Sequence, residues 1–94
     1  MRVLEYKMRN AVNNKKRASI GNTFVNVEGS DVFVYLHGNL IYKEVGGVKS
    51  FTLAGWNTVT TRSRLNALGC DVTQRNWMPY HNGELISSCG WYEV

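Results

Sequence analysis

Asp31-Val32-Phe33-Val34-Tyr35-Leu36-His37-Gly38-Asn39-Leu40-Ile41-Tyr42-Lys43-Glu44-Val45-Gly46-Gly47-Val48-Lys49-Ser50-Phe51 is a run of β-branched and aromatic residues broken twice by turn chemistry. Those residue types suit a pleated, half-buried strand. Gly38-Asn39 reads as a two-residue hairpin loop with glycine first, and Gly46-Gly47 as a second tight turn. Strands are predicted over Asp31 to His37, Leu40 to Val45 and Val48 to Ala54. Upstream, Thr23 to Glu28 alternates around Phe24, Val25 and Val27 until Gly29-Ser30 breaks it. The stretch predicts a four-stranded antiparallel meander.

Two-residue loops dictate register. His37 then opposes Leu40, Tyr35 opposes Tyr42, and Tyr42 in turn opposes Phe51. Directly opposed residues share a face. One face therefore collects Phe33, Tyr35, Leu40, Tyr42, Phe51 and Leu53. The other holds Val32, Val34, Leu36, Ile41 and Val45, together with Lys43, Ser50 and Thr52. Burying a large apolar side chain is worth roughly 1.5–3 kcal/mol, so the aromatic face is expected to be the covered one.

Helices flank the meander. From Val3 to about Asn13, Leu4, Met8, Ala11 and Val12 fall on one side of a helix. Asn13-Asn14 and the Lys15-Lys16-Arg17 run end that pattern, and cations suit the negative end of the helix dipole. After the meander, Asn57 or Thr58 is placed to cap a second helix. That helix begins between Thr58 and Thr61, runs to about Leu68, and aligns Thr61, Leu65 and Leu68. Gly69 follows as the left-handed stop.

The tail reads as a further hairpin. Val72 to Tyr80 is extended, Asn82-Gly83 is a tight-turn signal, and Glu84 to Ser88 returns. Pro79 lacks a ladder donor, which places this piece at a sheet edge. Cys89-Gly90-Trp91-Tyr92 is expected to pack against it. The expected architecture is an α+β domain: an antiparallel meander of about four strands plus a C-terminal hairpin, packed against two short helices.

Ninety-four residues suffice for one domain with a single core, residues 1–94. A hydrophobic content of 44% with 19% charged residues argues against disorder. No apolar run approaches the roughly 18 residues of a membrane span, and Met1-Arg2-Val3-Leu4-Glu5 has no apolar signal region. A cytoplasmic location without membrane contact is the resulting expectation. Cys70 and Cys89 are the two cysteines, and reducing conditions favour free thiols. With His37 and His81 as the histidines and no paired spacing, no metal site is expected.

Catalytic chemistry has little to work with. Glu28 and Asp31 flank a turn, where carboxylates are usually solvated. His37 beside the β-turn reads either as a general base or as a turn-capping residue. Cys70 follows a helix C-terminus, a poor place to stabilise a thiolate. No phosphate-cradling glycine motif is present, so neither an enzyme nor a cofactor is expected.

Binding residues are better represented. The net charge is +4, clustered at Lys15-Lys16-Arg17, at Arg62 and Arg64, and at Arg75. Hydroxyls at Thr58, Thr60 and Thr61 near a helix N-terminus suit phosphate, and arginine adds bidentate contacts. Trp56 just before them either stacks on a base or anchors the corner in the core. The arginines read equally as a solvated helix face. Trp77, Tyr80, Trp91 and Tyr92 are hot-spot residue types, and an exposed patch of them points to a protein partner or to a homo-oligomer.

Two blocks, Tyr35-Leu36-His37-Gly38-Asn39-Leu40-Ile41 and Gly55-Trp56-Asn57-Thr58-Val59-Thr60-Thr61-Arg62-Ser63-Arg64-Leu65-Asn66-Ala67-Leu68, resemble a family of small proteins of tailed bacteriophages. Tyr6-Lys7-Met8-Arg9-Asn10-Ala11, Gly21-Asn22-Thr23 and the Trp77 to Glu84 hairpin extend the resemblance over most of the chain, although Trp77-Met78-Pro79-Tyr80 and the residues after Ile86 depart from it. The resemblance implies phage origin and action in the cytoplasm of the infected bacterium, and it brings no activity with it. The resulting expectation is a non-enzymatic phage accessory protein that binds nucleic acid through Lys15, Lys16, Arg17, Trp56, Thr60, Thr61, Arg62, Arg64 and Arg75. The alternative is a module that binds a host protein and inhibits or redirects it.

Overall fold

A computed structural model describes residues 2–94. The elements in chain order are α1 (Val3–Asn13), β1 (Ala18–Ile20), β2 (Thr23–Glu28), β3 (Asp31–Leu36), β4 (Asn39–Val45), β5 (Val48–Phe51), α2 (Val59–Ala67), β6 (Val72–Arg75), β7 (Met78–His81), β8 (Glu84–Leu85) and β9 (Tyr92–Glu93). The predicted meander is present and longer than expected. One antiparallel sheet has the order β1-β2-β3-β4-β5-β9, and a second has the order β6-β7-β8.

Both helices end as their sequences direct. Arg2 N–H donates to Glu5 Oε1 at 3.2 Å at the start of α1. The Thr58 hydroxyl accepts from Thr61 N–H at 3.2 Å and caps α2. Gly69, at φ +87°, closes α2: its N–H reaches Asn66 O, and Cys70 N–H reaches Leu65 O. Such paired bonds satisfy carbonyls that the last turn leaves free, and they require a left-handed residue.

The β3–β4 hairpin differs from the predicted register. Its turn is His37-Gly38, so Leu36 opposes Asn39 and Tyr35 opposes Leu40. The register then shifts, and Val34 opposes Tyr42. Ile41 is the extra residue of a β-bulge, which leaves Ile41 and its neighbour Tyr42 both buried. Beyond the bulge the expected pairings Tyr42 with Phe51 and Val45 with Val48 hold.

The slip exchanges the faces of β3 relative to β4. Val32, Val34 and Leu36 are buried, while Phe33 and Tyr35 are only half-buried. The core instead joins Met8, Ala11 and Val12 of α1 and Leu65 and Ala67 of α2 to Val25, Val32, Val34, Ile41, Tyr42, Phe51 and Leu53. The helices thus cover the valine side of β3, and the expectation that they cover Phe33 and Tyr35 is corrected. Three β-branched or γ-branched side chains from β3 fill the gap under the helices, and the bulge brings Tyr42 into line with them.

The tail is also rearranged. Val72 to Tyr80 is not one strand: Asn76 and Trp77 both take left-handed φ values, 51° and 66°, and fold it into the β6–β7 hairpin. Pro79 lies on the central strand rather than at an edge. Its carbonyl accepts from Ile86 N–H at 3.0 Å, just past the end of β8, so the missing proline donor falls where the ladder has stopped. Tyr92-Glu93 pair with β5 in the large sheet. His81 is half-buried: its ring meets Phe51 edge-on at 4.8 Å and lies between the carbonyls of Asp71 and Glu93.

Candidate functional site

The nine proposed binding residues have different fates in the fold. Arg64 is withdrawn from solvent, 3% exposed. Its Nη1 lies 2.8 Å from Glu5 Oε2, and its Nε donates to Thr23 Oγ1 at 3.2 Å. Ser63 Oγ donates to the same Glu5 oxygen. Burial alone would raise the Glu5 carboxyl, but bonds from Ser63, the Arg2 N–H and Arg64, with the Arg64 charge, leave it below its ordinary value. Arg64 therefore joins α2 to α1 and cannot contact phosphate. Thr61 is likewise buried, its hydroxyl 2.9 Å from that of Thr58.

Arg62 is engaged locally. Its Nη1 donates to Asn57 O at 3.1 Å and to Gln74 Oε1 at 2.9 Å. Asn57 also donates to the Trp77 carbonyl at 3.4 Å. The guanidinium thereby ties the start of α2 to the β6–β7 hairpin. Arg75 is exposed, with its guanidinium 5.3 Å from the Tyr80 ring centre.

Lys15, Lys16 and Arg17 remain exposed. Lys15 Nζ donates to Ser30 O at 2.8 Å, and Arg17 Nε to Val27 O at 3.3 Å. These bonds hold the two side chains beside the β2–β3 end of the sheet. Six of the eleven Lys and Arg residues lie within residues 2–17, where Glu5 is the one acid. Since Glu5 is neutralised by Arg64, the basic character of the chain is concentrated there.

The face of the large sheet away from the helices carries Phe33 and Tyr35, which the expected register places inside. Phe24 is 42% exposed and opposes Tyr35, their ring centres 6.1 Å apart. Phe33 opposes Asn26 on one side and Lys43 on the other. Lys43 Nζ in turn lies 4.4 Å from the Trp91 ring centre, and Trp91 is 41% exposed. Arg17, one residue before β1, borders this face. Exposed aromatics interleaved with cations are the chemical elements of a stacking platform. The missed signal was the turn: His37-Gly38 instead of Gly38-Asn39 turns Phe33 and Tyr35 outward.

The two sequence blocks singled out above meet in space. A cleft of about 380 Å³ is lined by Leu36, His37, Asn39 and Ile41 from the first block and by Trp56, Thr58, Thr60 and Thr61 from the second, with Leu53 and Ala54 between. Trp56 is 59% exposed at its rim. His37 is exposed rather than closed onto its own turn; its N–H donates to Asn22 O at 2.9 Å, and its Nε2 lies 3.4 Å from Asn22 Nδ2. Among the described residues no cluster of three or more His, Cys, Asp or Glu is arranged for a metal, and no helix is long and apolar enough to cross a membrane.

An antiparallel sheet with both helices on one face and partly exposed aromatics on the other defines an α+β domain with two distinct sheet surfaces. The chain belongs to the Kyanoviridae Gp96 protein family, which it matches over residues 1–93, and it is of bacteriophage origin. No curated protein and no solved structure matches it.

Proposed function

We propose that this phage protein is a non-enzymatic accessory factor that binds single-stranded nucleic acid in the cytoplasm of the infected bacterium. The observation that carries the reading is the outward row of Phe24, Phe33, Tyr35 and Trp91, with Lys43 among them and Arg17 at the margin. Bases stacked on aromatic rings contribute about 1–3 kcal/mol each, and cations track the backbone. Lys15 and Lys16 extend the positive margin beyond Arg17. Compared with the sequence expectation, the phosphate-contacting set keeps Lys15, Lys16 and Arg17 and loses Arg64 and Thr61.

Fluorescence anisotropy with labelled single-stranded and duplex oligonucleotides tests this reading. Single strands are expected to bind more tightly, with affinity falling as salt rises. A Phe33→Ala/Tyr35→Ala double variant is expected to weaken binding at least tenfold. Salt-insensitive binding, or unchanged affinity in that variant, would falsify the reading.

A host-protein partner is the second reading, favoured by one feature. Trp77, 85% exposed, forms the tip of the β6–β7 hairpin beside Asn57, with Met78 also exposed. A complex captured from host extract that survives nuclease and is lost in Trp77→Ala would favour this reading over the first.

A further inference from the structure

We propose that the cleft between the β3–β4 turn and the start of α2 is a pocket for one unstacked nucleobase. The proposal rests on the nucleic-acid reading and adds a second, separable site to it. Its volume of about 380 Å³ lies in the range of small-molecule pockets. Leu36, Ile41 and Leu53 are buried and give an apolar floor that accepts the faces of a ring. The polar lining residues are His37, Asn39, Thr58, Thr60 and Thr61; His37 and Asn39 are exposed, and with the Thr60 hydroxyl they are the groups that would meet the edge of a heterocycle. An amide offers both a donor and acceptors, which matches the mixed edge of a base.

Trp56 supplies the stacking surface. Ala54 and Gly55 take left-handed φ values of 54° and 82°, and Trp56 N–H returns to Leu53 O at 2.8 Å. This tight turn ends the β5 segment and leaves the indole exposed at the mouth rather than in the core. The opposite rim is built the same way, with His37 at φ +50°. Non-glycine residues held in this region cost about 1–2 kcal/mol each, and such positions cluster at binding sites.

The cleft lies at the end of the stacking face, beside the β3–β4 turn and on the opposite side of the sheet. Tyr35 and Leu40 oppose one another on the outward side, and their immediate neighbours Leu36 and Asn39 line the cleft. Six residues of β3 separate this end from the Lys15 and Arg17 end, about 20 Å at strand rise. A strand lying across Phe33 and Tyr35 reaches the β3–β4 turn, around which its next base would leave the stack to enter the cleft.

The test is a titration of the full chain, followed by amide and indole NMR, with each of the four ribonucleosides and separately with inorganic phosphate. At least one nucleoside is expected to shift the Asn39, Thr60 and Trp56 indole signals saturably, and phosphate alone to leave them in place. Trp56→Ala and Asn39→Ala should each weaken nucleoside binding at least fivefold, with Trp56→Phe restoring part of it. Both positions are exposed, and an unchanged far-UV spectrum checks the fold. Phe33→Ala/Tyr35→Ala should leave the nucleoside-induced shifts of the Asn39, Thr60 and Trp56 signals in place while reducing oligonucleotide binding. Oligonucleotide binding without any nucleoside response overturns the pocket and spares the stacking face. A nucleoside response without oligonucleotide binding overturns the strand-binding reading instead. Saturation by phosphate alone overturns base recognition.

Discussion

Arg64 Nη1 and Glu5 Oε2 lie 2.8 Å apart, with both side chains 3% exposed, and this pair joins the two helices across 58 residues of intervening chain. Its neighbours Ser63, Thr23 and Asn22 supply further bonds to it. Among the described residues, every buried side-chain nitrogen and oxygen has a hydrogen-bond partner. A satisfied buried pair is not necessarily stabilising relative to an apolar one, but removal of one partner leaves a charge without compensation.

Arg64→Met is accordingly expected to cost about 3–5 kcal/mol, measured by urea unfolding. The double variant Glu5→Leu/Arg64→Met should lose markedly less than the sum of the two single changes. A single-variant loss below about 1 kcal/mol would show that the pair is not maintained in solution.

The same pair sets an acid limit. The Glu5 carboxyl is held below its ordinary value of 4.5 in the folded state. Its contribution to stability is present in full above that ordinary value and disappears as pH falls through the lower folded value. Unfolding midpoints followed between pH 6 and 3 should decline more steeply for the native chain than for Glu5→Gln.

The two thiols should behave differently. Cys70 is buried, Cys89 is exposed, and both are free. Burial pushes the Cys70 thiol up to about 12, partly offset by Lys49. A disulfide reagent at neutral pH is expected to label Cys89 rapidly and Cys70 only on unfolding. With its folded value raised, Cys70 contributes stability that is present in full below its ordinary 9.0 and lost as pH rises toward about 12. Equal labelling rates would contradict the burial of Cys70.

Thr58→Ala removes the hydroxyl that accepts from Thr61 N–H at the start of α2. A loss of about 0.5–2 kcal/mol is expected, with thermal unfolding as the measurement. Thr58→Ser and Thr58→Asp should retain most of the stability, because either side chain can accept the same bond.

Ala54→Gly relieves a left-handed φ of 54°. The gain is expected to be below about 1 kcal/mol, since the relief of about 1–2 kcal/mol is offset by glycine's greater loss of chain entropy. A loss of stability in this variant would show that the Ala54 methyl makes packing contacts worth more than the strain.

Local chemistry determined much of this protein from its sequence. The spacing of Met8, Ala11 and Val12 predicts α1 from Val3 to Asn13, Gly69 predicts the end of α2, and Gly46-Gly47 predicts the pairing of Val45 with Val48. Each of these depends on residues within a few positions, so the reading needs no knowledge of the rest of the chain. The sequence also contained, unread, the clue to its buried pair: Glu5 falls on the helical stripe of Met8 and Val12, and Arg64 on that of Thr61 and Leu65. What those charges do was decided only when α1 met α2, because a carboxylate and a guanidinium on apolar stripes are buried only if they face one another. The face of β3 was likewise a tertiary decision. A two-residue turn can begin at His37 or at Gly38, and these choices differ locally by little. Packing of Val32, Val34 and Leu36 beneath the helices selected the first, with a bulge at Ile41 to keep Tyr42 inside. That selection turned Phe33 and Tyr35 outward and brought the two motif blocks together around one cleft.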